Sequence, residues 1–166
     1  MAGARRRTAD RAGSHRIQRL LVVCHGNIYR SAFVGQYLKQ CLQASCVVRS
    51  GGFHRVAGRP APERHVLLSR RYGVELADHR STVVQSSDID WADAILLMDS
   101  RNWQALIGMN APTDRIIWLG AMDGGDIEIP DPDTLSDEQL AAVVGRLHDC
   151  AKVLAAQILA DAGSLP

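Results

Sequence analysis

The chain has 166 residues, of which 46% are hydrophobic and 22% charged, so it can form one hydrophobic core but is too short for two ordinary domains. Its longest apolar runs, 20–23 and 94–98, fall far short of the roughly 20 residues that cross a bilayer, and this excludes membrane insertion. The formal net charge is only +1, from 19 basic and 18 acidic residues.

The charge is distributed unevenly along the chain. Residues 1–16 contain five arginines and one aspartate, which leaves 14 basic and 17 acidic groups in the rest of the chain, a net charge near −3. A mildly acidic domain argues against a nucleic-acid surface. We expect residues 1–16 to be a disordered, Arg-rich extension and residues 17–162 to be the folded domain. Because no apolar segment follows the arginines, we expect no signal peptide, and the sequence predicts a cytoplasmic protein.

Short apolar runs alternate with longer amphipathic segments from residue 16 onward. The runs predict strands at 17–23, 47–50, 94–98 and 115–119, and the amphipathic segments predict helices at 31–43, 63–72, 101–109 and 136–160. Gly73 is suited to a left-handed helix cap, and Ser136 with Gln139 forms a capping box. Strands separated by helices of this length form parallel crossovers with helices on both sheet faces, so the predicted class is α/β.

The four cysteines form no C-x-x-C pair and show no zinc-ligand spacing, so we predict neither a disulfide framework nor a metal site. Three of them, Cys41, Cys46 and Cys150, are predicted to be small core residues. Cys24 differs, because it ends the first strand, and ligands of parallel sheets bind beyond the carboxyl ends of strands.

The segment after the first strand, Cys24-His25-Gly26-Asn27-Ile28-Tyr29-Arg30-Ser31, has the pattern of a phosphate-binding loop. Five residues separate Cys24 from Arg30, which lets successive backbone N–H groups point inward at a helix N-terminus. Gly26 and Asn27 tolerate the positive φ values that such a turn needs. Arg30 supplies a planar fork of donors for phosphate oxygens, and a thiol beside it is expected to be largely thiolate. The predicted phosphate-binding residues are His25, Gly26, Asn27, Ile28, Tyr29 and Arg30.

Several segments in the same order resemble the low-molecular-weight protein tyrosine phosphatase family. The residues Val-Cys-His-Gly-Asn-Ile-Tyr-Arg-Ser at 23–31 are similar to its signature loop, and 50–52, 78–80, 98–99 and 129–132 are similar to its further motifs. The resemblance implies a single three-layer domain with a central four-stranded parallel sheet in the flavodoxin-like order 2-1-3-4. Within the family, the sequence is nearest to bacterial members that act beside tyrosine kinases in capsule or exopolysaccharide production.

The resemblance also implies roles for individual residues. Cys24 would be the nucleophile that forms a phosphocysteine, Arg30 the phosphate clamp and Asp131 the general acid and base, with no cofactor or metal. Supporting hydrogen bonds would come from Asn27, Ser31, Ser50 and His79. The implied partner is a phosphotyrosine-bearing protein such as a bacterial tyrosine autokinase. Asp99 fits a simple helix start and is not included in the predicted site.

Three departures from the family pattern bear on function. Tyr29 replaces the second cysteine of many members, so a protective disulfide with Cys24 is not expected. Ala32 and Gly35 replace a proline and a glutamate near the helix start. Asp133 replaces the aromatic residue that flanks the substrate ring, which removes stacking worth roughly 0.5 to 1.5 kcal/mol and adds a negative charge. Phe53, His54 and Tyr29 are candidates for a substitute ring.

Two other functions remain open from the sequence. A thiol-dependent arsenate reductase shares this kind of loop, but it needs further cysteines that relay oxidation from the nucleophile, and none lies near residues 78–85. A phosphate-binding regulatory module with decayed catalysis is suggested by Asp133 and opposed by the presence of Cys24, Arg30 and Asp131.

Overall fold

A computed structural model describes residues 16–163 of the chain. Its sheet consists of β1 (Arg19–Cys24), β2 (Val47–Gly52), β3 (Ala94–Leu97) and β4 (Ile116–Trp118). The neighbouring strands pair in parallel in the order β2-β1-β3-β4, which confirms the predicted order 2-1-3-4. Because β1 lies between β2 and β3, the loop that follows it meets the loops that follow both neighbours.

Helices cover both faces of the sheet, as predicted. They are α1 (Arg30–Leu42), α2 (Glu63–Ser69), α3 (Ser86–Trp91), α4 (Ser100–Gly108) and α5 (Asp137–Gly163). Alternate residues of β1 belong to two separate hydrophobic clusters because successive strand side chains point to opposite faces. Leu20 and Val22 share a cluster with residues of α1 and α5, whereas Leu21 and Val23 share the other with residues of α3 and α4.

The predicted elements are present with shifted ends, and one helix was not predicted. The second predicted helix is split, because residues 70–72 form a 3-10 turn before Gly73, whose φ of 72° confirms the left-handed cap. Both hydrogen bonds of the predicted capping box form between Ser136 and Gln139. Helix α3 is only six residues long, too short for a helical period to show in the sequence.

The three cysteines outside the predicted phosphate loop lie in or against the core. Cys46 and Cys150 are buried, and Cys41 packs against the core while half-buried. Burial, with nearby Asp93, raises the pKa of Cys46 to about 11, and burial, with nearby Asp123, raises the pKa of Cys150 to about 12. Neither of these two thiols is a thiolate near neutral pH.

No helix within residues 16–163 combines the length and apolar character needed to cross a membrane. The predicted extension, residues 1–16, lies outside the described residues except for Arg16.

One buried histidine lies among aromatic rings of α1 and the loop before it. The His65 ring is 5.1 Å from the Tyr29 ring and 6.2 Å from the Phe33 ring, measured between centroids, and the residue is fully buried. Its Nε2 donates to the backbone oxygen of Tyr29 at 3.1 Å, since a carbonyl can only accept. Burial lowers the pKa of His65 to about 4, so the ring is neutral at pH 7.

We expect His65 to make the protein less stable in mild acid. Its pKa is lower in the folded state than its ordinary value near 6.5, so the unfolded chain binds the additional proton as the pH falls through this range. The free energy of unfolding should therefore fall by about 2 kcal/mol between pH 7 and pH 4.5 through this residue alone. Urea denaturation of the wild type and of His65→Gln at both pH values measures how much of the change in the free energy of unfolding is due to His65. An equal loss of stability in both proteins would contradict the assignment.

Candidate active site

The loop of residues 24–30 joins the end of β1 to the start of α1. Cys24 is the last residue of β1, and Arg30 is the first residue of α1, so the helix N-terminus directs its free N–H groups toward this loop. Asn27 has a φ of 50°, so the turn uses the left-handed region there, whereas Gly26, the other residue considered for a positive φ, does not adopt one. The side chains of Cys24 and Arg30, predicted to act together, both belong to this one connection.

The sulfur of Cys24 has two polar neighbours. The backbone N–H of Asn27 donates to Sγ at 3.3 Å, and Oγ of Ser31 lies 3.0 Å from it. The Ser31 hydroxyl accepts from Nδ2 of Asn27 at 2.9 Å, which leaves its own proton free to point to the sulfur or to the Gly51 carbonyl at 3.3 Å. Both groups can therefore donate to an anionic sulfur.

Asn27 is the residue that holds the loop in shape. It is fully buried, and its Nδ2 also donates to Oγ of Ser50 at 3.1 Å, while its Oδ1 accepts from the backbone N–H of Thr82 at 2.9 Å. Its backbone oxygen accepts from Nε2 of His79 at 2.6 Å. The four residues predicted to support the loop, Asn27, Ser31, Ser50 and His79, thus form one hydrogen-bonded group.

His79 serves this group as a neutral donor. Burial lowers its pKa, the hydrogen bond to Asn27 opposes the change, and the charges of Lys39 and Arg80 lower the pKa further. Because the Asn27 carbonyl can only accept, the proton of the neutral ring must be on Nε2.

The guanidinium of Arg30 is buried and forms ion pairs with two carboxylates. Its side chain is only 1% exposed, and Nη1 donates to Oδ2 of Asp99 at 2.5 Å and to the backbone oxygen of Ile129 at 2.8 Å. Nη2 donates to Oδ2 of Asp131 at 2.8 Å. Burial lowers the pKa of Arg30, but the electrostatic interactions with Cys24, Asp131 and Asp99 raise it by more. The pKa of Arg30 therefore lies above its ordinary value. Its Nε is buried and has no hydrogen-bond partner among residues 16–163.

A cavity of about 300 Å³ opens above the loop. This volume is at the lower end of the range for small-molecule sites and suits one aryl phosphate group. The predicted nucleophile and the predicted acid, Cys24 and Asp131, both line it. The other lining residues are His25, Gly26, Ile28, Tyr29, His54, Arg59 and Asp133.

The lining of this cavity includes two of the three rings considered as substitutes for an aromatic residue at position 133. Asp133 lines the cavity and is exposed. Of the three substitute rings considered, His54 and Tyr29 line the cavity, whereas Phe53 packs against the hydrophobic cluster on the other side of the sheet. The rings of His54 and His25 meet edge to face at 5.9 Å. The rings of His54 and Tyr29 and the carboxylate of Asp133 therefore line the same cavity.

Two charged residues of the site were not predicted. Asp99 caps α4 through the backbone N–H of Asn102, as a helix start would, but its other carboxylate oxygen also binds Arg30. Its position at the carboxyl end of β3, next to β1, could have indicated this second contact. Arg59 lines the cavity and donates through Nη2 to the Gly26 carbonyl at 2.7 Å, and no sequence pattern singled it out.

The end of β2 approaches the loop so closely that only glycine fits there. A Cβ atom on Gly52 would lie 2.8 Å from the carbonyl oxygen of His25 and 2.9 Å from the backbone nitrogen of Asn27. Both atoms belong to the main chain and cannot move aside without changing the loop. Gly52 therefore supports the backbone from which the predicted site is built.

Comparisons with known proteins agree with this geometry. The profile of the low molecular weight phosphotyrosine protein phosphatase family matches residues 19–163. A protein of Ralstonia nicotianae named as a probable low molecular weight protein-tyrosine-phosphatase, EpsP, is 34% identical over 115 residues, which cover 69% of this chain and 79% of that protein. The crystal structure of the Erwinia amylovora tyrosine phosphatase AmsI has a TM-score of 0.78 at 27% identity and covers 85% of this chain and 93% of its own. The YwlE arginine phosphatase from Geobacillus stearothermophilus has a TM-score of 0.77 at 27% identity, with 86% and 94% covered.

Fold and sequence together define a phosphatase that acts on phosphorylated protein side chains. The chain belongs to the low molecular weight phosphotyrosine protein phosphatase family. The family resemblance expected from the sequence is thereby confirmed.

We expect Asn27→Ala to reduce both stability and activity, because it leaves the Ser50 hydroxyl and the Thr82 N–H without their buried partner. Each unsatisfied group costs about 1 to 3 kcal/mol. Asn27→Gly loses the same hydrogen bonds but tolerates the positive φ, so it should be more stable than Asn27→Ala by roughly 1 kcal/mol. Urea denaturation and kcat/KM on an aryl phosphate measure both effects.

Asn110 provides a matched control, because it has a φ of 58° but is exposed and far along the chain from the loop. Asn110→Ala should show the conformational cost alone, with kcat/KM unchanged. If Asn27→Ala were no more harmful than Asn110→Ala, the hydrogen bonds of Asn27 would not support the loop.

Proposed function

We propose that this phosphatase hydrolyses phosphotyrosine through a phosphocysteine on Cys24, with Arg30 as the phosphate clamp and Asp131 as general acid and base. The observation that supports this most is the arrangement at one cavity. Cys24 and Asp131 both line it, and the buried Arg30 binds Asp131 while its Nε has no partner among the described residues. The scheme needs no metal or cofactor.

In the first step, the Cys24 thiolate attacks phosphorus in line with the ester oxygen. The S–P bond forms, the P–O bond to the tyrosine breaks, and the departing oxygen takes a proton from Asp131. The guanidinium of Arg30 and the N–H groups of the loop stabilise the charge on the three equatorial oxygens. The Asn27 N–H and the Ser31 hydroxyl, which lie at 3.3 and 3.0 Å from the sulfur, stabilise the thiolate before attack and when it leaves again.

In the second step, water attacks the phosphorus of the phosphocysteine. The ionised Asp131 accepts a proton from this water, the S–P bond breaks, and inorganic phosphate and the Cys24 thiolate are released. Asp131 is then protonated again and ready for the next cycle.

In the proposed cycle, Arg30 exchanges one hydrogen-bond partner, the Asp131 carboxylate, for the substrate phosphate. Oδ2 of Asp131 occupies Nη2 of Arg30 at 2.8 Å, and a phosphate dianion competes for the same donor. When phosphate takes Nη2, the Asp131 carboxylate loses this cation, takes up a proton from solvent, and turns to the ester oxygen as the protonated acid. Asp99 and the Ile129 carbonyl hold Nη1 during this exchange, so the clamp itself stays in position.

We expect wild-type protein to hydrolyse phenyl phosphate without added metal, and Cys24→Ser to be inactive. Asp131→Asn should lower kcat/KM for phenyl phosphate by about 10²- to 10⁴-fold, because phenolate then leaves without its proton. Steady-state assays at pH 6 with a chelator present test both variants. Asp133→Asn is the matched control, since it changes a second carboxylate of the same cavity. A larger loss in Asp133→Asn than in Asp131→Asn would mean that the acid is the other carboxylate.

The same assays separate the other functions that the sequence leaves open. A phosphate-binding module would bind phosphate or vanadate without turning over any ester. An arsenate reductase would consume arsenate and a thiol reductant through a cysteine relay, but Cys46 and Cys150 are buried and un-ionised near neutral pH. These observations favour ester hydrolysis.

The position of Asp133 bears on the group that leaves. Its carboxylate lines the cavity in place of an aromatic wall, and it would repel a phosphate dianion while attracting a cationic leaving group. One structural neighbour is an arginine phosphatase by name, so phosphoarginine belongs in the substrate panel beside phosphotyrosine, phosphoserine and sugar phosphates. We favour phosphotyrosine, because the rings of His54 and Tyr29 line the same cavity.

We expect Asp133→Tyr to raise kcat/KM for a phosphotyrosine peptide by about 2- to 10-fold, the equivalent of roughly 0.5 to 1.5 kcal/mol of ring stacking. Asp133→Asn removes the charge without adding a ring, so it separates repulsion from stacking. Acetyl phosphate, which has no ring, should gain nothing from the tyrosine beyond what it gains from the asparagine. An unchanged kcat/KM for the peptide in Asp133→Tyr would contradict the missing-wall interpretation.

For the physiological role, we propose a cytoplasmic substrate, a bacterial tyrosine autokinase of capsule or exopolysaccharide production. The sequence resemblance to phosphatases that act beside such kinases supports this proposal. The test is incubation of an autophosphorylated kinase with the wild type and with Cys24→Ser. Loss of phosphotyrosine from the kinase with the wild type alone is the expected result, and retention with both would contradict it.

A further inference from the structure

The side chain of Arg64 links the phosphate loop to the segment that follows Asp131. Arg64 is the second residue of α2, and its Nε and Nη2 donate to the Tyr29 hydroxyl at 3.2 and 3.1 Å. The same guanidinium donates to three main-chain carbonyls of the segment 131–135, which we call the acid loop. These carbonyls belong to Pro132 at 3.1 Å, Asp133 at 3.0 Å and Leu135 at 2.7 Å.

Tyr29, to which Arg64 donates, is itself held in a fixed position. The residue is only 5% exposed, and its backbone oxygen accepts from the buried Nε2 of His65 at 3.1 Å. Helix α2 therefore holds Tyr29 at both ends, through Arg64 at the hydroxyl and through His65 at the main chain. The resemblance implies a second cysteine here in many family members, and a cysteine has no hydroxyl to accept the hydrogen bonds of Arg64.

The carbonyl contacts matter because of what happens to Asp131 during the reaction. Its side-chain partner is Nη2 of Arg30, which the substrate phosphate also needs. Once phosphate takes that donor, the ion pair no longer restrains the carboxyl. The Pro132 carbonyl belongs to the residue directly after Asp131, so Arg64 restrains the main chain beside the acid throughout the cycle. On the other side, Ile129 is held by its N–H to the Met98 carbonyl at 2.8 Å and by its carbonyl to Arg30.

We propose that Arg64, anchored on Tyr29, is a positioning residue that keeps Asp131 within reach of the leaving oxygen when phosphate displaces it from Arg30. The inference rests on the proposed role of Asp131 and extends it to two side-chain groups, the Arg64 guanidinium and the Tyr29 hydroxyl, that take no part in the bond changes. Positioning of an acid is worth a large factor, because a misplacement of about 1 Å can cost on the order of 10²-fold in rate.

The test uses a series of aryl phosphates whose leaving groups differ in their need for a proton. For phenyl phosphate, which needs the proton, Arg64→Ala should lower kcat/KM by about 10- to 100-fold, and Tyr29→Phe should lower it by a smaller factor. For 2,4-dinitrophenyl phosphate, whose leaving group needs little protonation, both variants should stay within about 2-fold of the wild type. The parameter kcat/KM is chosen because it reports the first step, in which Asp131 donates the proton.

A double-mutant cycle makes the test specific to Asp131. In an Asp131→Asn background the acid is already absent, so Arg64→Ala should add little further loss on phenyl phosphate. The control is Arg70→Ala, which removes an exposed arginine just after α2 that pairs with Glu75 at 2.9 Å. It should behave as the wild type on every substrate.

Several outcomes would overturn the inference. An equal loss on both substrates, or an undiminished loss in the Asp131→Asn background, would show that Arg64 supports the fold and not the acid. Hydrogen exchange gives a readout that does not need activity. The amides of Asp131 and of residues 133–136 should exchange faster in Arg64→Ala than in Arg70→Ala, and unchanged exchange would also overturn the inference. An inactive wild type, or an active Cys24→Ser, would instead refute the proposed chemistry, and the exchange measurement would still decide whether Arg64 holds the acid loop.

Discussion

The whole site depends on a positive charge that is buried at the start of α1. A guanidinium with 1% exposure must be compensated, since an unpaired ion in a protein interior costs several kcal/mol. Asp99 and Asp131 supply this compensation from the loops after β3 and before α5, so Arg30 draws together segments that lie about 70 and 100 residues further along the chain. In this way a requirement of stability assembles the groups that the proposed chemistry needs.

The two carboxylates that pair with Arg30, those of Asp99 and Asp131, differ in how firmly they are held. Asp99 is buried and also caps α4, so removing it would disturb a helix as well as the clamp. Asp131 is part of the cavity wall and is held by a single nitrogen. Asp99 thus keeps the cation charged and oriented, whereas in the proposed cycle Asp131 leaves it when the substrate phosphate binds. Two neutral histidines also hold the loop. His65 and His79 donate hydrogen bonds to its carbonyls and add no positive charge beside the guanidinium.

The sequence predicted the parts of this site that lie within one short segment. Cys24 and Arg30 are six positions apart at a strand-to-helix junction, and local geometry alone brings them together. The strand order also followed from the resemblance, and the class from the alternation of strands and helices. Family motifs supplied Asp131, Ser50 and His79, whose contacts with the loop span 23 to 101 residues.

Each residue that sequence reasoning missed also fits a common local role, so nothing in the sequence indicated its long-range contacts. Asp99 looks like a helix cap and is one, and α3 is too short to show a period. Arg64 looks like a solvent-exposed residue of a helical first turn, and only the fold brings Tyr29 and the acid loop to it. No periodicity or spacing encodes a contact between side chains 35 residues apart, because it depends on how the crossovers pack.

The hold of Arg64 on the acid loop has a consequence for substitutions at position 133. Its hydrogen bonds to the acid loop end on main-chain oxygens, which every amino acid provides, so these contacts do not depend on the side chains of the loop. The main-chain contacts at Pro132 and Asp133 therefore do not depend on which side chain stands at position 133, beside the proposed proton donor Asp131. A different side chain at position 133 would then change the lining of the cavity without moving the main chain beside Asp131.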